Sequence, residues 1–372
     1  MKKIMFMINS LYGGGAERIL QTIISNFDYS KYDVTLYSIH KEVVDRDLFK
    51  GNFHYKYLFD ENAGIINKIK GLIFLKTSPK FFYKLFVKGK YDVEIAFIEG
   101  ESTKIISGSS SDSKKIAWVH VDLEKNPWTD FLYKCKDDER DCYLEYNKIL
   151  GVSKEVTRAF VNKYNFDENR VNVQYNPVNA INIIKKSQEY SVEKRTQGLQ
   201  FVSVGRLVEQ KGFDRLIRVV NKLKVEKYIF NLLILGEGEQ REELEQFIIE
   251  NELQDYIKLM GFIENPYPYI RCSDLMICSS RAEGFSTVAT EALILGVPII
   301  TTNCAGMKEL FGETNCGIIT ENSEEGLYNE IKNTLDNTDR ISEWKECAID
   351  RGKDFDLDST MNEIYAKIES LF

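Results

Sequence analysis

Twelve short runs rich in Val, Ile, Leu and Phe recur along the chain, separated by segments long enough for helices. In the first half they fall at 3–9, 34–40, 93–98, 115–121, 148–152 and 171–175. In the second half they fall at 200–204, 230–235, 257–260, 275–278, 298–301 and 317–319. Continuous apolar runs of this length suit strands buried on both faces. Their alternation with helical segments calls for parallel βαβ units, so an α/β chain with two doubly wound halves is expected. The 372 residues are long for one domain and comfortable for two. The boundary is placed at Asn176-Pro177, because residues 179–199 are polar and poorly patterned, as a linker should be. The expected divisions are therefore 1–176, 177–358 and a terminal helix over 359–372, where Met361, Ile364, Ile368 and Leu371 recur at helical spacing. Two such open sheets facing each other put a ligand in the crevice at their C-terminal strand ends.

Cysteine usage narrows the chemistry. Seven cysteines, an odd number, contain no C-x-x-C pair, and several sit inside apolar runs. Reduced thiols in a cytosolic protein fit better than a disulfide framework or a zinc site. The opening MKKIMFMINS has too short an apolar stretch for a signal peptide and reads as a first buried strand. No run approaches the roughly 20 apolar residues of a spanning helix.

Charge is unevenly spread. Residues 1–176 hold 27 Lys+Arg against 24 Asp+Glu, and residues 177–372 hold 22 against 33. Within the first half, the stretch from Ile66 to Lys90 has seven lysines, no acid and interleaved Phe, Leu, Ile and Tyr. One reading is a helix pair packed on the core with a solvated lysine face. The other, which an unbroken basic and aromatic run favours, is a surface for anionic lipid carried by Lys76, Lys80, Lys84 and Lys88. Nucleic acid is not an expected partner, since neither half has a high pI or a binding motif.

Residues 281–298 read RAEGFSTVATEALILGVP. Upstream, residues 274–280 form an apolar run with polar ends, as in a buried strand. Glu283 lies in the following loop, Gly284, Phe285, Ser286 and Thr287 make a turn, and a helical run through Val288 reaches Glu291 about two turns in. A helix N-terminus offers free N–H groups and a positive dipole end, which suit a phosphate. A phosphate cradle between two carboxylates that accept from sugar hydroxyls is a layout for a nucleotide-activated sugar.

Three further motifs follow strands. Gly205 ends one, and Arg206 and Lys211 follow before a helix near Phe213. Two such cations can grip a diphosphate, whose charge grows as the glycosidic bond breaks. The structural alternative is a surface cluster in which Glu209 neutralises Lys211. Gly236 and Gly238 sit in a strand-to-helix loop that is either a nucleoside contact or a plain turn. Phe262 and Ile263 either flank a base or, for Phe262, join the core. In the first half, Gly13, Gly14 and Gly15 exceed what a turn needs, which points to close ligand approach at a helix start. Glu17 and Arg18 lie in that helix as ligand groups or a structural pair. His120 ends a strand; a structural role and a contact to sugar or acceptor stand about even.

Taken together, Glu283 and Glu291 with Gly284 and Phe285, the stretch from Gly205-Arg206 to Lys211-Gly212, the loop from Gly13 to Arg18, and Trp118-Val119-His120 resemble glycosyltransferase family 4. Each motif alone is unspecific; the combination, spread over nearly the whole chain, is specific. The resemblance implies a retaining enzyme with the GT-B fold: two Rossmann-like, doubly wound parallel-sheet domains facing across a cleft, with the C-terminal helix crossing back to the first. It implies an N-terminal acceptor domain and a C-terminal nucleotide-sugar domain. Arg206 and Lys211 hold the diphosphate, Glu291 the ribose, and Glu283 with the Gly284–Ser286 backbone the donor sugar. His120 sits by sugar and acceptor, with Gly14 and Gly15 near the reacting centre. No enzymic nucleophile is implied: the acceptor attacks from the leaving-group face, and a leaving phosphate oxygen takes its proton.

The expected activity is transfer of a hexose or N-acetylhexosamine from a UDP- or GDP-linked donor to a lipid-linked or saccharide acceptor in surface polysaccharide synthesis. No metal or other cofactor is expected, and the expected place is the inner face of the cell membrane, in the cytoplasm. The rivals are a nucleotide-sugar epimerase and a non-catalytic GT-B partner of another transferase. Scarce histidines argue against the first, and intact donor residues against the second.

Overall fold

The computed structural model describes residues 1–45, 47–110, 112–194 and 197–372. The chain divides into two compact units, Met1–Pro177 with Asp358–Phe372, and Val178–Leu357.

Unit 1 runs β1 (Lys2–Ile8), α1 (Gly15–Ser25), β2 (Tyr32–His40), β3 (Phe53–Phe59), α2 (Ile65–Lys76), α3 (Pro79–Phe86) and β4 (Val93–Ala96). It continues α4 (Glu101–Ser107), β5 (Lys114–Val119), α5 (Lys136–Leu144), β6 (Lys148–Gly151), α6 (Lys154–Tyr164) and β7 (Val171–Val173). Its seven strands form one parallel sheet in the order β3-β2-β1-β4-β5-β6-β7. The strand order reverses between β1 and β4, so the loops after these strands diverge there, where open α/β sheets take ligands. Residues 4–8 of β1 are fully buried, which is why that run reads as continuously apolar.

β3 is the strand the apolar runs do not announce. Its sequence FHYKYLF puts His54 and Lys56 among aromatics, and it pairs only with β2 at the sheet edge. An edge strand keeps one side wet and tolerates such polar residues. The basic stretch forms α2 and α3. α3 is anchored by buried Phe82, whereas α2 has no fully buried residue and packs through half-buried Phe74.

Unit 2 runs α7 (Ala180–Lys186), β8 (Leu199–Val204), α8 (Phe213–Val225), β9 (Phe230–Leu235), α9 (Arg241–Glu250), β10 (Ile257–Gly261) and α10 (Tyr267–Cys272). It continues β11 (Leu275–Cys278), α11 (Thr287–Ile294), β12 (Ile299–Thr302), α12 (Met307–Phe311), β13 (Gly317–Thr320), α13 (Glu324–Asp336) and α14 (Arg340–Gly352). The parallel sheet has the order β10-β9-β8-β11-β12-β13. Successive strand residues serve opposite faces: Phe201 packs with Leu216, Leu232 and Trp344, whereas Val202 packs with Met276, Leu293 and Met307. The order reverses between β8 and β11. The expected linker holds α7, whose Ile183 packs with Val178 and Ile294, so much of it is structured; Arg195 and Thr196 lie outside the described residues.

α15 (Leu357–Glu369) returns the chain to unit 1. It buries Met361, Ile364 and Ile368. Tyr365 stacks on Tyr32 with ring centroids 5.9 Å apart and meets Phe27 edge-on at 5.2 Å. Tyr32 donates to Glu369 Oε1 over 2.9 Å.

Candidate active site

In unit 2, seven of the thirteen sequence-predicted donor residues lie on two loops leaving neighbouring strands at the point of strand reversal, while Gly236 follows β9, Phe262 and Ile263 follow β10, and Thr287, Val288 and Glu291 lie on α11. One loop follows β8 and carries Gly205, Arg206 and Lys211; the other follows β11 and carries Glu283 to Ser286. The loops are laced together. Arg281 N donates to Gln210 O (2.7 Å), Gln210 Nε2 to Ala282 O (2.9 Å), and Ser279 Oγ to Lys211 O (2.9 Å). The Arg281 guanidinium forks onto Asp214 at 2.7 and 2.8 Å, and Arg218 reaches the same carboxylate at 2.9 Å. Burial alone would raise the Asp214 pKa; the hydrogen bonds from Arg281 and Arg218 outweigh it and hold the carboxyl well below its ordinary range. Buried Arg215 donates to Ser279 O, Ser280 O and Asn322 Oδ1 over 2.6–2.8 Å. Loop carbonyls that a sheet would leave unpaired are thereby satisfied. None of Gln210, Asp214, Arg215 or Arg281 was singled out in the sequence.

On this scaffold Lys211 Nζ lies 2.6 Å from Glu283 Oε1, and Ser280 Oγ donates to the same oxygen over 2.5 Å. Glu283 is only 9% exposed. The partner of Lys211 is thus Glu283, 72 residues away, and not the neighbouring Glu209. Arg206 beside it is exposed, and among the described residues no carboxylate pairs with it. Cys278, at the end of β11, stays a thiol: burial, then the Glu283 charge, pushes its pKa up to about 12.

Glycine is required where these loops close. Gly236 has φ +152°, and a Cβ there would lie 1.8 Å from Gly205 O; Gly212 has φ +65°, and a Cβ there would lie 2.2 Å from Ser279 O. Ser286 caps α11 by accepting from Ala289 N at 3.4 Å, and Thr287 and Val288 open its first turn. Glu291 sits one turn into α11 rather than two, because the helix starts at Thr287. Its carboxylate accepts from Tyr267 Oη at 3.1 Å and is 6% exposed. Tyr267, on α10, carried no sequence signal for this. Phe285, Val288 and Ile263 pack on the core, whereas Phe262 is 68% exposed and is not a core residue. A cavity of about 360 Å³ lined by Tyr190, Asn231, Tyr256 and Tyr269 lies towards the opposite, N-terminal ends of β8–β10.

In unit 1, Gly14 caps α1, and a Cβ there would lie 2.4 Å from Glu17 Oε2, so a side chain at this position would displace the Glu17 carboxylate. Gly15 is the first residue of that helix. His120 follows β5. Its backbone N–H donates to Glu99 Oε2 at 2.9 Å, while Trp128 Nε1 donates to Glu99 Oε1 at 3.1 Å. The imidazole lies 5.0 Å from the Phe97 ring, and its buried Nε2 has no hydrogen-bond partner among the described residues. Burial pushes its pKa down to about 4, a backbone hydrogen bond with Phe97 opposing only part of the shift, so the ring is neutral at pH 7. Burial also raises the pKa of Glu99, the residue that fixes this strand end and that the sequence did not mark.

Residues 185–351 match the family model described as glycosyl transferases group 1. Over 370 residues, 96% of each chain, this chain is 26% identical to the N-acetylgalactosamine-N,N'-diacetylbacillosaminyl-diphospho-undecaprenol 4-alpha-N-acetylgalactosaminyltransferase of Campylobacter jejuni. The chain is a GT-B glycosyltransferase. It is also 23% identical to the amylovoran biosynthesis glycosyltransferase AmsD of Erwinia amylovora, over 82% of each chain. The fold of the transferase is that of Anabaena HepE solved with UDP and glucose (TM-score 0.76, 17% identity, all of both chains). Sucrose-phosphate synthase from Thermosynechococcus elongatus is equally similar in fold (TM-score 0.78, 14% identity, 100% and 99% covered).

Proposed function

We propose that the enzyme is a retaining, metal-independent transferase that moves a hexose or N-acetylhexosamine from a UDP- or GDP-linked donor to a lipid-linked or saccharide acceptor of a surface polysaccharide. The single observation that carries this reading is the Lys211–Glu283 pair at 2.6 Å on two interlocked strand-end loops, with the unpaired cation Arg206 on the same loop as Lys211. Unit 2 is the donor-binding domain and unit 1 the acceptor domain. Arg206 and Lys211 hold the diphosphate, joined by the first-turn amides of α11 at Thr287 and Val288. Glu283 and the backbone from Gly284 to Ser286 hold the donor sugar, and Glu291, oriented by Tyr267, holds the ribose. Gly205 and Gly236 keep the floor of the nucleotide site flat, and Phe262 and Ile263 flank the base. Gly14, Gly15 and neutral His120 serve sugar and acceptor. The diphospho-undecaprenol acceptor of the Campylobacter relative and the amylovoran pathway of the Erwinia relative support a lipid-linked or polysaccharide acceptor, and the HepE complex supports a UDP-sugar donor.

Chemically, the acceptor oxygen bonds to the anomeric carbon as the bond from that carbon to the diphosphate oxygen breaks. The electron pair stays on the diphosphate, and one of its oxygens takes the acceptor proton. The charge on the leaving diphosphate grows through this step, so fixed cations stabilise the transition state more than the ground state. No enzymic base is required, which suits a histidine kept neutral by burial.

No helix among the described residues is long and apolar enough to cross a membrane. The lysines of α2, α3 and the following loop, Lys76, Lys80, Lys84 and Lys88, support attachment to an anionic cytoplasmic membrane surface, where a lipid-linked acceptor is presented. The decisive experiment is release of nucleoside diphosphate from a panel of nucleotide sugars. Arg206→Ala and Lys211→Ala should each lose about 10²–10³ in rate, by analogy with a lost oxyanion donor. Full activity in both variants would remove the proposal, and EDTA should leave the wild-type rate unchanged.

A further inference from the structure

Helix α2 is mounted inside out. At 100° per residue, Ile65, Ile69, Leu72 and Lys76 share one face, and Asn67, Lys70 and Phe74 the opposite one. The second face is the one turned to the protein. Asn67 Nδ2 donates to Asp60 O, Lys70 Nζ donates to Leu58 O at 2.6 Å, and the Phe74 ring meets Phe82 edge-on at 5.2 Å. The apolar face looks outward: Ile65 is 73% exposed, Ile69 52%, Leu72 53% and Leu75 71%. α3 is anchored by buried Phe82 and turns Lys80, Phe81, Lys84 and Leu85 away from the core, with Phe81 53% and Leu85 43% exposed. A helix of a water-soluble body does the reverse, and contiguous exposed apolar surface marks a binding face.

Charge identifies the occupant. The segment from Ile66 to Lys90 has seven lysines and no acid, so every charged side chain that α2 and α3 themselves contribute is a cation. A second copy of the chain would bring the same cations against it. A bilayer with anionic headgroups supplies both hydrocarbon for the apolar face and countercharge for the lysines. α2 has 12 residues, about 18 Å, too short to cross roughly 30 Å of hydrocarbon.

We propose that α2 lies in the plane of an anionic membrane with Ile65, Ile69, Leu72 and Leu75 sunk into the acyl boundary. Phe81 and Leu85 of α3 enter beside it, and Lys68, Lys76, Lys80, Lys84 and Lys88 stay at headgroup level. This deepens the membrane reading above and rests on it: attachment is by insertion, not by charge alone.

Salt separates the two. Flotation of the full chain with vesicles one-third phosphatidylglycerol should be strong at low salt. A substantial part should survive 0.5 M NaCl, where screening removes most adsorption by charge. The double variant Ile69→Glu/Leu72→Glu should lose at least tenfold in bound fraction at both salt levels. These side chains touch solvent, so its melting temperature and its release of nucleoside diphosphate from the donor should match wild type. Lys80→Glu/Lys84→Glu should lose binding mainly at low salt. The proposal is overturned if the Ile69/Leu72 variant floats like wild type or if binding vanishes entirely at 0.5 M NaCl. It is also overturned if sedimentation without lipid shows a dimer that the Ile69/Leu72 variant abolishes. Loss of diphosphate release in wild type would instead refute the transferase reading and leave the flotation result standing.

Discussion

Lys211 and Glu283 neutralise each other inside a partly buried site, so removing either leaves a charge without its partner. Lys211→Met should cost about 2–4 kcal/mol in stability, because a buried carboxylate is stranded, besides its loss of rate. Arg206→Met, at an exposed side chain, should lower kcat/KM and leave stability within about 0.5 kcal/mol. Urea melts of both variants beside donor kinetics separate the two roles. His120 gives a pH prediction. Its folded pKa of about 4 lies below the ordinary 6.5, so between these values the unfolded chain binds the extra proton and stability rises with pH. From pH 7 to pH 5 this group should withdraw about 2 kcal/mol, and His120→Gln should lose that part of the pH dependence in chemical melts. An unchanged pH dependence in the variant would show that the ring is not buried neutral. At this scale the sequence singled out Lys211, Glu283 and Glu291 but not the residues that hold them. Tyr267, Arg281 and Glu99 act through contacts 21 to 72 residues away, which no local pattern encodes.

Among elements, legibility followed burial. Strands covered on both faces read as unbroken apolar runs, whereas edge strand β3 hid behind His54 and Lys56. Helix α7 went unread because a single face, at Ile183, packs on the core. The basic stretch was legible in composition but not in orientation, since a helix seen as letters does not say which side meets its body. The loops after β8 and β11 owe their close approach to backbone geometry. Gly212→Ala should cost about 2 kcal/mol or more, since φ +65° and contact with Ser279 O both oppose a Cβ, and donor KM should rise with it. Ser286→Ala should remove about 1 kcal/mol through its lost cap on α11. Thermal unfolding with and without nucleoside diphosphate measures both; a Gly212→Ala protein with wild-type stability and KM would contradict the close packing of the two loops.

For the whole molecule, the doubly wound architecture of both halves was legible from alternation alone, because parallel pairing needs crossovers and crossovers leave helix-length gaps. The sequence did not disclose which aromatic side chains receive the last helix. Tyr365 stacks on Tyr32 and meets Phe27, so Tyr365→Ala should destabilise unit 1 by about 2–3 kcal/mol. Trp118 and Trp128 report on unit 1 and Trp344 on unit 2, so fluorescence melts of single-tryptophan variants should show the first transition moving and the second staying. A shift in Trp344 alone would refute this.

Unit 2 is one uninterrupted segment, whereas unit 1 is assembled from two pieces with all of unit 2 threaded between them. During synthesis the earlier-made sheet must therefore wait, with the surface around Phe27 and Tyr32 unclad, until residues 358–372 clear the ribosome. A premature stop late in the message would injure the half that was translated first, and that waiting surface is where a chaperone would be needed.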